Sequence, residues 1–137
     1  MVWFSFLNNI RNKKQFSHKY INDDLDRELF IKYAGNGNLN EIVKLLINGI
    51  DVNLSNKDGY TALMMASQNG HLKVVNVLLN CKEIDIHIRK KDKYSNSNSA
   101  MSMASDNGHK DIVNKLLNFQ IMKMEKSRPF RKLWFLS

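Results

Sequence analysis

Apolar and polar positions along the chain alternate between two periods. Leu63, Ala66 and Ser67 recur at three- and four-residue spacing, one face of a short helix. Thr61 stands before it as an N-cap, its hydroxyl suited to a free N–H of the first turn. Gly70 stands after it as a stop, because glycine enters the left-handed region without a Cβ penalty. A second helix is predicted from about Leu72 to Asn80, with Leu72, Val75, Leu78 and Leu79 on one stripe. Ile84-Asp85-Ile86-His87-Ile88 then alternates strictly, as does Ile50-Asp51-Val52-Asn53 earlier; the earlier stretch runs into turn residues Asn56-Lys57-Asp58-Gly59. Each block therefore reads as two short helices followed by an extended finger.

The block occurs three times. Asn69-Gly70-His71-Leu72-Lys73-Val74-Val75-Asn76-Val77-Leu78-Leu79-Asn80 returns 38 residues on as Asn107 to Asn118. It is preceded, 33 residues earlier, by Asn36 to Ile47. The helices upstream also correspond: Glu28–Ala34, Thr61–Ser67 and Ser99–Ser105. Asn22-Asp23-Asp24 puts acceptors and negative charge ahead of the first helix, as a helix N-terminus favours. A helix pair with a finger cannot close its own apolar face and needs a neighbour of the same kind. The fold class expected is all-α, a solenoid with short extended finger loops.

These motifs resemble the ankyrin repeat. The second copy carries Gly59-Tyr60-Thr61-Ala62-Leu63-Met64-Met65-Ala66, Gly70-His71 and Leu78-Leu79; the first carries Gly49-Ile50-Asp51-Val52-Asn53; the third carries Ser99-Ala100-Met101-Ser102-Met103-Ala104 and Gly108-His109. Ala62 and Ala100 stand where the family prefers proline, which loses a preset helix start. Met64 and Ser102 stand where it prefers histidine. The third copy has extra residues near Cys81-Lys82-Glu83 and in Tyr94-Ser95-Asn96-Ser97-Asn98, and Lys93 replaces Gly59, so an irregular third turn is expected. The resemblance divides the chain into a flank or cap at 1–24, a repeat domain at 25–118 (about 25–57, 58–91 and 92–118) and a basic-aromatic tail or cap at 119–137.

The resemblance implies a noncatalytic protein-interaction module whose concave face, made by finger tips and first helices, meets a protein partner. The matching positions are Lys57, Asp58, Tyr60, Gln68 and Asn69 in the second repeat and Lys91, Asp92, Tyr94, Asp106 and Asn107 in the third. Tyr60 and Tyr94 would anchor the interface, since Tyr is enriched among residues that dominate binding energy. A monomer is expected, and no cofactor.

Composition narrows the alternatives. The 137 residues are 43% hydrophobic and 25% charged, as in an ordinary single globular domain. No run of 18 apolar residues exists, and Met1–Leu7 lacks the basic lead and cleavage site of a secretory signal. Cys81 is the single cysteine, which excludes an internal disulfide and fits a reducing, cytoplasmic or nuclear setting. Net charge is +8, but residues 25–118 hold only +2 of it, and the tails hold the rest. Arg89-Lys90-Lys91-Asp92-Lys93 aligns with a finger tip, so a solvated tip is preferred to a nucleic-acid site. Asn, Lys and Ile supply 45 of 137 residues, which suggests an AT-rich genome. Small ankyrin proteins of large DNA viruses and intracellular bacteria share that bias, and a host protein would then be the partner.

No catalytic or metal constellation is expected. His71 and His109 occupy equivalent repeat positions, His87 replaces Asn53 in a finger, and Cys81 has no placed base. Two alternatives remain: a membrane-surface adaptor using Met1–Leu7 and Arg128–Leu136, and a vestigial fragment of a longer repeat protein. For both ends a cap over the stack is preferred to a membrane anchor, and Pro129 should stop the last helix.

Overall fold

The computed structural model describes residues 24–90 and 98–128. Six helices and a two-stranded ribbon lie there: α1 (Asp24–Asn36), α2 (Leu39–Ile47), α3 (Ala62–Gln68), α4 (Leu72–Leu79), β1 (Arg89–Lys90), β2 (Asn98–Ser99), α5 (Ala100–Asp106) and α6 (Lys110–Ser127). The pairs α1/α2, α3/α4 and α5/α6 stack in order, first helices on first helices and second on second. The all-α solenoid implied by the repeat is the observed architecture.

The local signals act where the sequence places them. Thr61 Oγ1 accepts the N–H of Met64 at 3.2 Å and caps α3. At the equivalent place Ser99 caps α5, and Ser102 returns the bond: its Oγ accepts the Ser99 N–H at 2.9 Å. Ser102 thus gains a capping-box role in place of the family's histidine. The first helices end alike: Asn38, His71 and His109 donate their N–H groups back to the carbonyls of Tyr33, Ala66 and Ala104. Those bonds need the intervening glycine in the left-handed region, and Gly37 and Gly70 have φ of +73° and +77°.

The same glycines let the repeats lock together. The carbonyls of the last helical turn have no partner within their own helix. His71 Nε2 reaches the Gly35 carbonyl of the preceding repeat at 2.9 Å, and His109 Nε2 reaches the Gln68 carbonyl at 3.0 Å. A carbonyl can only accept, so each ring carries its proton on Nε2. The rings lie flat against the preceding glycine: a Cβ on Gly37 would stand 2.6 Å from His71, and one on Gly70 would stand 2.6 Å from His109. Asn69 Nδ2 adds a second bond to Gly35 O at 2.8 Å, whereas Asn107 turns to Met103 O within its own helix.

The fingers form a second seam. Ser55 bridges to Thr61, and Asn56 Oδ1 accepts the N–H groups of Asp58 and Tyr60 to shape the tip. Asn53 accepts the Asp85 N–H at 2.9 Å and donates to Glu83 O at 2.7 Å, tying the first finger to the loop after α4. In the second finger Arg89 pairs with Ser99 and Lys90 with Asn98. The expected irregular turn around Lys93 lies outside the described residues.

The core runs the length of the stack: Phe30, Ile42 and Leu46 against Leu63, Leu78 and Val74, then Ala104, Ile112 and Leu116. Cys81 is buried in it, its thiol 3.7 Å from Val77 O. On the outer face of α2 Lys44 pairs with Glu41 at 2.8 Å, which holds the ammonium pKa above its ordinary value. The last helix does not stop at Asn118: α6 runs on to Ser127, just before Pro129. Nothing between Asn118 and Ser127 breaks the helical ladder, so the sequence boundary between repeat and tail falls inside a helix.

Two substitutions test the seam. Gly70→Ala and Gly108→Ala both incur the left-handed penalty of about 1–2 kcal/mol, because Gly108 has φ +76°. Only Gly70 faces a histidine ring, and nothing lies within 4 Å of a Cβ on Gly108. Gly70→Ala should therefore cost about 1 kcal/mol more, through the displaced hydrogen bond. Equal losses in urea melts would remove the ring contact from the stability argument. Ser67 Oγ is buried with no hydrogen-bond partner. Ser67→Ala should stabilise by about 1 kcal/mol, read as a higher urea midpoint at unchanged slope.

Candidate partner-binding surface

Stacked first helices and the finger beside them create a groove. It is open, about 630 Å³, and lies between α1, α3 and the first finger. Leu25 and Leu29 from α1 and Met65 from α3 supply its apolar walls, with Tyr60 at the finger end. Glu28, Lys32, Asn36, Asp58, Gln68 and Asn69 supply polar groups around them. Their spacing follows from the helix: Leu25, Glu28, Leu29, Lys32 and Asn36 fall at three- and four-residue steps on one side of α1.

Tyr60 is half-buried and packs on the core, and Lys90 of the second finger places its Nζ 4.0 Å from the ring centroid. That cation–π contact joins two neighbouring finger bases. Asp58 and Lys57 stand exposed at the tip. Gln68 and Asn69 are tied into the frame: the Gln68 carbonyl holds His109, and the Asn69 side chain holds Gly35. Both still line the groove, Gln68 half-buried and Asn69 exposed.

The ten positions carried over from the repeat motif therefore divide. Asp58, Tyr60, Gln68 and Asn69 converge on the groove, and Lys57 sits beside it on the tip. Asp106 and Asn107 are exposed at the end of α5 but do not line this groove. Lys91, Asp92 and Tyr94 lie outside the described residues. The first repeat's contribution was missed, because the motif was carried only onto the second and third copies. The 33-residue offset holds the signal: it maps Met65 and Asn69 onto Lys32 and Asn36.

The remaining candidate groups have local roles. His71 and His109 clasp neighbouring repeats. His87 is exposed, its N–H held by Asp85. Among the described residues no three His, Cys, Asp or Glu side chains are grouped to hold a metal ion. No helix among them is long and apolar enough to cross a membrane. Met1–Leu7, and all of Arg128–Leu136 after its first residue, lie outside the described residues.

Stacked helix pairs, glycine–histidine seams and projecting fingers define a class of repeat protein, and the chain belongs to it: the family model for ankyrin repeats in three copies matches residues 29–127. Repeats of this family are in general noncatalytic modules for protein–protein interaction. The chain is 41% identical over 63 residues to the Notch-regulated ankyrin repeat-containing protein of Xenopus tropicalis, covering 45% of the chain and 46% of that protein. The Xenopus laevis protein of the same name matches to the same extent. The chain is also 39% identical over 71 residues to a probable E3 ubiquitin-protein ligase, XBOS32, of Oryza sativa subsp. japonica, covering 51% of the chain but 14% of the ligase. The chain thus spans less than half the length of each of these relatives, all of them eukaryotic.

Tip residues and frame residues should separate in stability measurements. Lys57→Ala and Asp58→Ala should stay within about 0.5 kcal/mol of the parent. Asn69→Ala should cost about 1 kcal/mol through its lost bond to Gly35, visible as a lower urea midpoint.

Proposed function

We propose that the chain is a noncatalytic adaptor that holds a segment of a partner protein in the groove between α1, α3 and the first finger. The observation that carries this is the groove itself, with apolar walls, mixed polar groups around them and a half-buried tyrosine at one end. That composition is typical of the centre of protein interfaces, where aromatic anchors sit within a polar rim. The frame around it is pinned by the His71, Asn69 and Asn53 bonds, so little conformational entropy is lost on binding. The chain acts as a monomer and needs no cofactor in this reading.

A buried Cys81 fits an intracellular site, cytoplasmic or nuclear. The Asn, Lys and Ile bias supports an AT-rich source; in a large DNA virus or an intracellular bacterium the partner would be a host protein. Net charge of +8 adds salt-sensitive attraction to any polyanion, which the test must separate from the groove.

A tagged full-length chain, incubated with lysate and nuclease at low and moderate salt, should retain a discrete protein identifiable by mass spectrometry. With that partner in hand, Asp58→Ala and Tyr60→Ala together should weaken binding by about tenfold or more, since one interface anchor is worth over 1 kcal/mol. Retention of only nuclease-sensitive or salt-labile material would overturn the groove reading, as would unchanged affinity in the double variant with its fold intact.

A further inference from the structure

The first helix of the stack differs from its counterparts. α1 has 13 residues where α3 and α5 have seven. The excess lies at its start: Glu28 holds the place of the caps Thr61 and Ser99. Asp24–Arg27 thus add a helical turn where the second copy has its finger turn, Lys57–Tyr60. The added turn lies against the first finger, since Arg27 donates to the Ser55 carbonyl at 3.5 Å. At this end the groove therefore runs between helix on one side and finger on the other.

Both sides carry negative charge there. Glu28 stands on the helix and Asp58 on the finger, each lining the groove and each exposed. Neither carboxylate makes an ion pair or a hydrogen bond among the described residues. The nearby cations are engaged or set apart. Arg27 binds Ser55 O, and Lys90 lies over the Tyr60 ring. Lys57 is exposed on the tip outside the lining, and Lys32 lines the groove one turn further along α1. Beside Glu28 are the apolar walls Leu25 and Leu29, with Leu25 67% exposed.

We propose, on the basis of the groove as a binding site for a protein segment, that the segment is basic as well as apolar. An Arg or Lys side chain lies between Glu28 and Asp58, and a large apolar residue beside it packs on Leu25, Leu29 and Met65. A positive group between two unpaired carboxylates is attracted by both, whereas a carboxylate there is repelled by both. The preferred sign is opposite to that expected for the whole chain, whose +8 attracts polyanions, so the two effects are separable. The length of the occupant follows from the helix wall. Leu25 to Asn36 covers about 16 Å of α1, which about five extended residues match.

Random peptides displayed on phage and selected on the tagged full chain at moderate salt test this. The selected sequences should share a large apolar residue with Arg or Lys at fixed spacing, within about five residues. One such peptide, made synthetically, should bind Glu28→Gln/Asp58→Asn about fivefold more weakly, and should bind the parent more weakly as salt rises. Selection on Glu28→Lys/Asp58→Lys should turn to acidic-apolar peptides. Far-UV circular dichroism and the urea midpoint of each variant establish that its fold is intact. Selected peptides that lose binding in Leu29→Ala/Tyr60→Ala, yet lack a basic residue or bind Glu28→Gln/Asp58→Asn unchanged, would overturn the basic occupant and leave the groove standing. Peptides indifferent to Leu29→Ala/Tyr60→Ala as well, or a library without binders, would overturn the groove reading with it.

Discussion

Each helix pair of this chain has an apolar side that it cannot bury alone, and every other feature follows from how that side is closed. Side chains such as Phe30, Ile42 and Leu46 are fully or almost fully buried only because the next repeat lies over them. Burial of one such side chain is worth about 1.5–3 kcal/mol, so a single pair would forfeit most of its core. Stacking also fixes register. The histidine after each of the second and third glycines reaches a carbonyl of the preceding repeat with its ring lying against Gly37 or Gly70, where a Cβ would collide with it. The glycine serves two purposes at once: it ends its own helix, and it leaves room for its neighbour's ring.

The groove is a consequence of the same stacking. First helices placed side by side present matching positions on one side, and the finger that leads into α3 projects beyond them. No residue of the groove needs unusual chemistry. Tyr60 is where it is because Asn56 shapes the turn and Ser55 bridges to Thr61, and it is held by Lys90 from the next finger. A rigid frame with a variable lining suits recognition of a protein segment, because the histidine bonds of the frame run to backbone carbonyls and leave most groove side chains free to differ. Asn69 serves both frame and groove, so substitutions there alter both at once.

The Met64 and Ser102 departures illustrate how the stack tolerates variation. Met64 is buried where a polar ring is expected, and Thr61 still caps the helix through the backbone. Ser102 completes a capping box with Ser99. Either solution satisfies the first turn of a short helix, which is the local requirement. Unpartnered buried polar atoms among the described residues include Ser67 Oγ and Asn76 Oδ1.

Repeat number, helix pairs, caps and glycine stops were legible in the sequence because they depend on local spacing: a 33- or 38-residue offset and a three-to-four-residue stripe survive in one dimension. Thr61, Gly37 and Gly70 announce their roles without a fold. The partners of His71, Asn69 and Asn53 were not legible, since they bond across 30 or more residues to backbone atoms that carry no sequence signal. Nor was the share of the groove that Leu25, Glu28 and Leu29 provide, which exists only once α1 lies against α3. The end of α6 falls between these cases: Pro129 predicts where the helix must stop, but only the tertiary structure places Lys123 on Ile84 and leaves Leu117, Ile121 and Met124 uncovered. Local periodicity decides which residues can be buried; what lies across from them is decided by the stack.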